Sequence, residues 1–287
     1  MAAGTKTVQP GAAARTATLV LVGLLRVTGV LLLGVSVVWG WRASWARFGV
    51  CFGGAEPAVD LPEPRRASAC VYMQGDLYDQ YMPEVPWVPI ADAARLEGLS
   101  LMALGVGLAL VAASLAGRWF VWLLSLVGGL GIGAVWVAIG IPVWRTALAG
   151  ERVGYEEYMA AVLLTWGTPW VTTGLAVLAW RWGGRDGRLV AAFWATMTLA
   201  QPLPEAFITL FLWPSHDTSP LHGIFRCVLV GLAALMVLVS FLPPAWRSRF
   251  LAGPLRRAGS GIARAAVKVQ QWDVRVSPRR DGDDPVA

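Results

Sequence analysis

Charged residues are scarce in this sequence. Asp, Glu, Lys and Arg make up 15% of its 287 residues, where a soluble domain carries roughly 25%. Such a shortfall cannot clothe a water-facing surface. It excludes a disordered chain, a coiled coil and a nucleic-acid-binding globule. Lysine is nearly absent: of 24 basic residues only Lys6 and Lys268 are lysine. Histidine is confined to His216 and His222, and cysteine to Cys51, Cys70 and Cys227. No Cys-x-x-Cys or Cys/His ligand spacing exists, so neither a metal nor a cofactor is expected. A serine or cysteine nucleophile needs a base beside it. Ser215 next to His216 lacks any elbow context, and no catalytic residue is expected.

What is abundant is apolar: 56% of residues, with a mean hydropathy of +0.56. A membrane-spanning helix needs about 20 mostly apolar residues. Six stretches qualify: 18–39, 99–116, 119–141, 159–180, 189–213 and 221–242. Tryptophans stand at many of their ends, including Trp39, Trp119, Trp144, Trp180, Trp182 and Trp213. An amphipathic ring is best placed at a membrane interface. The expectation is an all-α, six-span transmembrane bundle. It divides into an N-terminal segment 1–17, a membrane domain 18–244 and a tail 245–287. The first run is longer than a signal-peptide core and no A-x-A-like site follows it, so it reads as an uncleaved anchor.

Loop charges orient the bundle. With the N-terminus inside, 15 basic residues lie inside and 7 outside, while the acids divide 5 to 12 the other way. The basic imbalance places both termini in the cytoplasm of a multi-pass cell-membrane protein. Arg47 and Glu97 count as loop residues in this reading. The second and third spans are joined through Gly117-Arg118, which demands a tight hairpin.

Residues 42–95 form one extracytoplasmic loop of about 54 residues. Its Cys51 and Cys70 face an oxidising compartment, where a disulfide would staple a segment too small to build its own core. Downstream, Tyr72, Tyr78, Tyr81 and Trp87 interleave with Asp76, Asp79 and Glu84. Pro83, Pro86 and Pro89 recur every third residue, which suits a short extended stretch. The loop is a candidate contact for an envelope protein partner, or a lid packed on the bundle.

Ionisable residues within spans are costly and are functional candidates by default. Arg26, Glu205 and Arg226 are the three. Glu205 lies about 12 Å, and Arg226 about 7.5 Å, from the outer end at 1.5 Å per residue. A short loop joins their spans, so the two should pair. Arg26 lies towards the inner end and should reach Gln201, Thr198 or a carbonyl, or extend to the inner interface. Gln201, Glu205, Arg226 and Arg26 thus make a candidate intramembrane polar site. Pro202 and Pro204 should break the fifth span near residues 198–202. No second broken helix is visible at a matching place. In the fourth span Thr165, Thr168 and Thr172 share a face, which suits helix packing. Gly129 and Gly133 form a GxxxG for close helix approach. Cys227 reads as an apolar filler.

In the tail, Leu255, Ile262, Val269 and Trp272 share one helical arc, and Arg257, Arg264, Lys268 and Arg275 share another. That basic amphipathic pattern predicts contact with anionic lipid of the inner leaflet.

Arginine in place of lysine, six spans, a cysteine-containing first outer loop and Trp87-Val88-Pro89-Ile90 before the second span form one pattern. In these the chain resembles multi-pass membrane proteins of actinobacteria. The resemblance is one of style and brings no activity with it. The roles left open are, in order, a non-enzymatic binding, sensing or scaffold component of the cell envelope; a small-solute or ion transporter centred on Gln201, Glu205 and Arg226; and a membrane enzyme using Glu205 or the acidic outer loops.

Non-reducing peptide mapping should recover Cys51 and Cys70 in one linked fragment. The bond closes a loop of about 20 residues and should contribute about 3 kcal/mol. Two alkylatable thiols would refute it.

Overall fold

The computed structural model describes residues 12–49, 90, 92–115, 118–184, 187–212 and 221–241. The chain falls into two units, residues 1–238 and 239–287, and of the second only residues 239–241 are described. Every regular element among the described residues is helical. They are α1 (Ala12–Ser44), a π-helical turn (Trp45–Gly49), α2 (Ala93–Ser114), α3 (Trp119–Ala149), α4 (Tyr155–Thr165), α5 (Thr168–Trp182), α6 (Gly187–Leu199), α7 (Pro202–Leu212) and α8 (Ile224–Val239).

Four helical stretches are long and apolar enough to cross a membrane: Thr16–Arg47, Ala93–Ser114, Trp119–Ala149 and Tyr155–Trp182. Pro202–Leu212 and Ile224–Val239 are apolar but shorter. Large apolar side chains also stand on the outside, among them Trp119, Trp170 and Phe211, the last 86% exposed. So wide an apolar surface would not be stable in water. Helix length, composition and surface together mark a membrane protein.

α2 packs between α1 and α3, and α5 packs on α3 and α6. The core is built from Leu33, Leu101, Leu104, Leu108, Trp136, Ile139, Phe193, Trp194 and Met197, all at most 1% exposed. Glycine sets the closeness of α2 and α3. A Cβ on Gly105 would strike the Gly133 carbonyl, and one on Gly98 would meet the Gly140 carbonyl at 2.8 Å. The backbones therefore touch along an antiparallel seam, as small residues permit in a bundle without a hydrophobic driving force between helices. Gly129 faces the Ala112 methyl on the same seam.

Two helical runs are interrupted, not one. α6 stops at Leu199 and α7 starts at Pro202. α4 stops at Thr165 and α5 starts at Thr168, with Pro169 in its first turn. The second interruption lies in the fourth run, where the sequence reading places a threonine face and no break. Its residues Trp166 and Gly167 keep right-handed helical backbone, so the run bends without turning back. The cause is the same in both places: proline lacks an N–H and crowds the preceding turn.

The glycine seam makes a paired prediction. Gly133→Ala should lower thermal stability in detergent, because its Cβ would meet the Gly105 carbonyl at 2.5 Å. Overpacking of this kind costs about 1–3 kcal/mol. Gly131→Ala, two residues away, meets nothing within 4 Å. It should be neutral or raise stability by up to about 1 kcal/mol, the helix-propensity gain.

Candidate functional site

A buried stripe runs along one face of α1: Gly29, Leu33, Ser36, Gly40, Ala43 and Arg47, spaced alternately by four and three residues. On α2 the matching stripe is Glu97, Leu101, Leu104, Leu108 and Val111. Each of these rows is apolar or small up to one charged member, Arg47 or Glu97. Packing α1 on α2 therefore brings Arg47 against Glu97, with Nη2 and Oε2 3.1 Å apart. Arg47 also donates from Nε to the Ala43 carbonyl at 3.3 Å. One step inward, the Ser100 hydroxyl donates to the Ser36 carbonyl at 2.7 Å.

The first turn of α8 enters the same place. Arg226 donates from Nη2 to the other Glu97 oxygen, Oε1. Glu97 thus lies between two guanidinium groups, which a carboxylate can accept on its two oxygens. Arg226 also stacks over Trp136, its Cζ 5.6 Å from the ring centroid. Room for this convergence comes from Gly40, where a Cβ would meet Ser100 Oγ at 2.7 Å and Cys227 Sγ at 2.9 Å. Gly223 has a φ of 80° and lies against Ser44, so it combines a left-handed backbone with no room for a side chain.

Glu205 completes the group from α7. Its Oε1 accepts the backbone N–H of Gly223 at 2.7 Å and of Arg226 at 3.0 Å. The carboxylate therefore caps the N-terminus of α8, where the first amide groups have no partner within the helix and the helix dipole favours an anion. Its Oε2 lies 3.8 Å from Arg226 Nη1 and 3.6 Å from His222 Nε2, and has no hydrogen-bond partner among the described residues. Arg47, Glu97, Glu205, His222 and Arg226 are each 0–5% exposed. Two arginines and two glutamates neutralise each other's charge, which a buried ionic group requires.

Sequence reasoning expects Glu205 and Arg226 to pair, and the structure brings them together by a different arrangement. The guanidinium of Arg226 bonds Glu97, and Glu205 holds Arg226 chiefly by its main chain. Arg47 and Glu97 correct the reading that made them loop residues. α1 runs past Trp39 into the π turn, and α2 begins at Ala93, six residues before the apolar run. Extending the four-three periodicity of each span outward would have found both. His222 carries no comparable signal beyond lying four residues before Arg226.

Gln201 and Arg26 bond elsewhere. Gln201 mends the broken helix. Pro202 leaves the Thr198 carbonyl without its usual donor, and the Gln201 N–H takes it at 3.2 Å. The Gln201 side chain then donates to the Met197 carbonyl at 2.9 Å. Its Oε1 is buried without a hydrogen-bond partner among the described residues. Pro202 and Pro204 both lie in the first turn of α7, where Pro202 loses nothing by lacking an N–H. Arg26 donates from Nε and Nη2 to the Ser114 carbonyl at 3.1 and 2.9 Å. That places it at the other end of α2 from Glu97, about 25 Å away by the helical rise. The two interrupted helices meet where Thr198 donates to Thr172 at 2.9 Å.

Cys227 is a buried free thiol. No cluster of three or more metal-ligating side chains occurs among the described residues. Cys51, Cys70, His216, Arg257, Arg264, Lys268 and Arg275 lie outside the described residues, as do residues 50–89 and 242–287 as a whole. The chain matches no protein-family model, no curated protein and no solved structure.

Removing one partner from a buried ion group leaves an uncompensated charge, at a cost of about 3–5 kcal/mol. Glu97→Gln should show that loss in thermal or denaturant unfolding of the detergent-solubilised protein. Glu97→Gln combined with Arg47→Met should recover part of it, because one unneutralised guanidinium is gone. A double variant as unstable as the sum of the two single ones would show that Arg47 and Glu97 do not interact.

Proposed function

We propose that this chain is a six-span protein of the cell membrane, with both termini in the cytoplasm, and that its role is non-enzymatic. It would serve as a binding, sensing or scaffold component of the cell envelope, presenting outside the segment that joins the π turn to α2. The six spans would be α1, α2, α3, α4 with α5, α6 with α7, and α8. The buried, mutually neutralising group of Arg47, Glu97, Glu205, Arg226 and His222 carries this reading. It ties the outer ends of α1, α2, α7 and α8 into one rigid platform, with its charges spent on each other. A fixed platform suits presentation of a loop to an envelope protein partner. The bilayer is the surrounding partner, with anionic inner-leaflet lipid at the basic tail.

A second reading, a small-solute or ion transporter, has specific support as well. Two interrupted helices meet through Thr172 and Thr198, and Gln201 Oε1 and Glu205 Oε2 are buried without hydrogen-bond partners among the described residues. Broken helices with polar groups at membrane depth form substrate and ion sites in transporters.

Cysteine accessibility separates the two readings. Single cysteines replace Gln201 or Thr209, both fully buried, in a background where Cys51, Cys70 and Cys227 are serine. Cells with confirmed surface expression are treated with a membrane-impermeant thiol reagent. The platform reading expects both positions to stay unlabelled. Labelling at either one means water reaches the break in the α6–α7 run, and transport becomes the better account.

A further inference from the structure

A cavity of about 500 Å³ opens at the outer ends of α1 and α2, between Trp41, Arg42 and Trp45 on one side and Asp92 and Leu96 on the other. That volume lies within the range of small-molecule sites, roughly 300–1,000 Å³. Its walls carry one charge of each sign. Arg42 sits in the last turn of α1, and Asp92 directly precedes α2. Neither forms an ion pair with the other or with another described residue. Asp92 occupies the N-cap position of α2, yet its carboxylate makes no capping hydrogen bond. An aspartate there ordinarily caps its helix. Both charges are thus available to a third party, held apart across a single cavity.

The spacing of the walls is set from behind. Arg42 lies five residues before Arg47, and Asp92 five before Glu97. The buried Arg47–Glu97 pair therefore clamps the two segments that carry the cavity. An apolar track also leads to it. Leu24, Leu31, Val38 and Trp45 recur at sevens along α1, and are 47–64% exposed. In a membrane this stripe faces acyl chains, and it ends at the tryptophan that lines the cavity. Indole and guanidinium at such a boundary occupy the headgroup level.

We infer that this cavity binds the headgroup of a zwitterionic phospholipid bearing a primary ammonium, with the phosphate on Arg42 and the ammonium on Asp92. Guanidinium binds phosphate oxygens through paired N–H donors. The ammonium gains a carboxylate acceptor and the faces of Trp41 and Trp45, which attract cations. An anionic headgroup without an ammonium would leave Asp92 unmatched beside negative charge, a repulsion that supplies selectivity. A quaternary ammonium offers Asp92 no N–H to accept. The acyl chains lie on the α1 stripe, which is why the occupant is a lipid and not a free zwitterion.

The inference rests on the membrane reading, so fractionation comes first. A chain washed from membranes by alkaline carbonate would overturn that reading. With the chain retained, the full-length detergent-solubilised protein is titrated with phosphatidylethanolamine, phosphatidylglycerol and phosphatidylcholine of identical acyl chains. Bound lipid is counted by native mass spectrometry and thermal stability is followed in parallel. Phosphatidylethanolamine should bind about tenfold more tightly than either of the others, the worth of one charged hydrogen bond. Asp92→Asn should abolish the preference over phosphatidylglycerol, and Arg42→Gln should weaken both. Neither residue belongs to the buried ion group, so lipid-free stability should stay at the wild-type level. Equal binding of the three lipids, or an Asp92→Asn variant that keeps the preference, overturns the proposal. So does an equal thermal shift from free phosphoethanolamine, which would assign the site to a soluble zwitterion.

Discussion

A charge taken out of water must find an opposite charge and hydrogen bonds, or the fold that buries it is not stable. Four buried ionisable side chains impose that demand on this protein, and the surrounding structure can be read as its consequences. Glu97 is bracketed by Arg47 and Arg226, and Glu205 is spent on the amide groups that open α8. None of these partners is near another in sequence. Their meeting therefore fixes how α1, α2, α7 and α8 stand relative to each other at one end. The small residues around them follow from the same demand. Gly40 and Gly223 leave the space through which Ser100, Cys227 and Ser44 approach. Any side chain at either position would push the charges apart.

The polar groups deeper in the molecule obey a local rule instead. Each proline that interrupts a helix frees a carbonyl, and nearby side chains and redirected amides take it up. Gln201 serves the end of α6. Thr168 and Thr172 serve the bend between α4 and α5, donating to the Thr165 and Thr168 carbonyls at 2.8 and 3.0 Å. Arg26 does the same at the end of α2. The Gln201, Thr168 and Thr172 bonds to carbonyls stabilise bends within one run, whereas the Thr172–Thr198 contact and the bond from Arg26 to Ser114 join separate helices. Two polar systems thus coexist: a long-range ionic group at one end, and short-range repairs of helix geometry elsewhere.

The glycine seam between α2 and α3 sets the spacing for the rest of the bundle. Backbone contact at Gly105 and Gly133 brings Leu104, Leu108 and Trp136 into one core. Without it, α2 and α3 would separate by about the thickness of a side chain.

How much of this was legible in the sequence depends on the range of the interaction. Composition and apolar run length alone established an all-helical membrane protein, because each helix satisfies its own backbone and its length is matched to a bilayer. The proline break at residue 202 and the close-packing role of Gly129 and Gly133 were equally local, and the chain displays them residue by residue. The partner of a buried charge is not local. Glu97 and Arg226 are 129 positions apart, and Arg47 and Glu97 are 50 apart. Hydropathy drew the spans short, so Arg47 and Glu97 read as loop residues although each continues a buried stripe by one step. Only tertiary packing decided that those stripes stay buried past the apolar run, because only there does each charge find the opposite charge that makes its burial affordable.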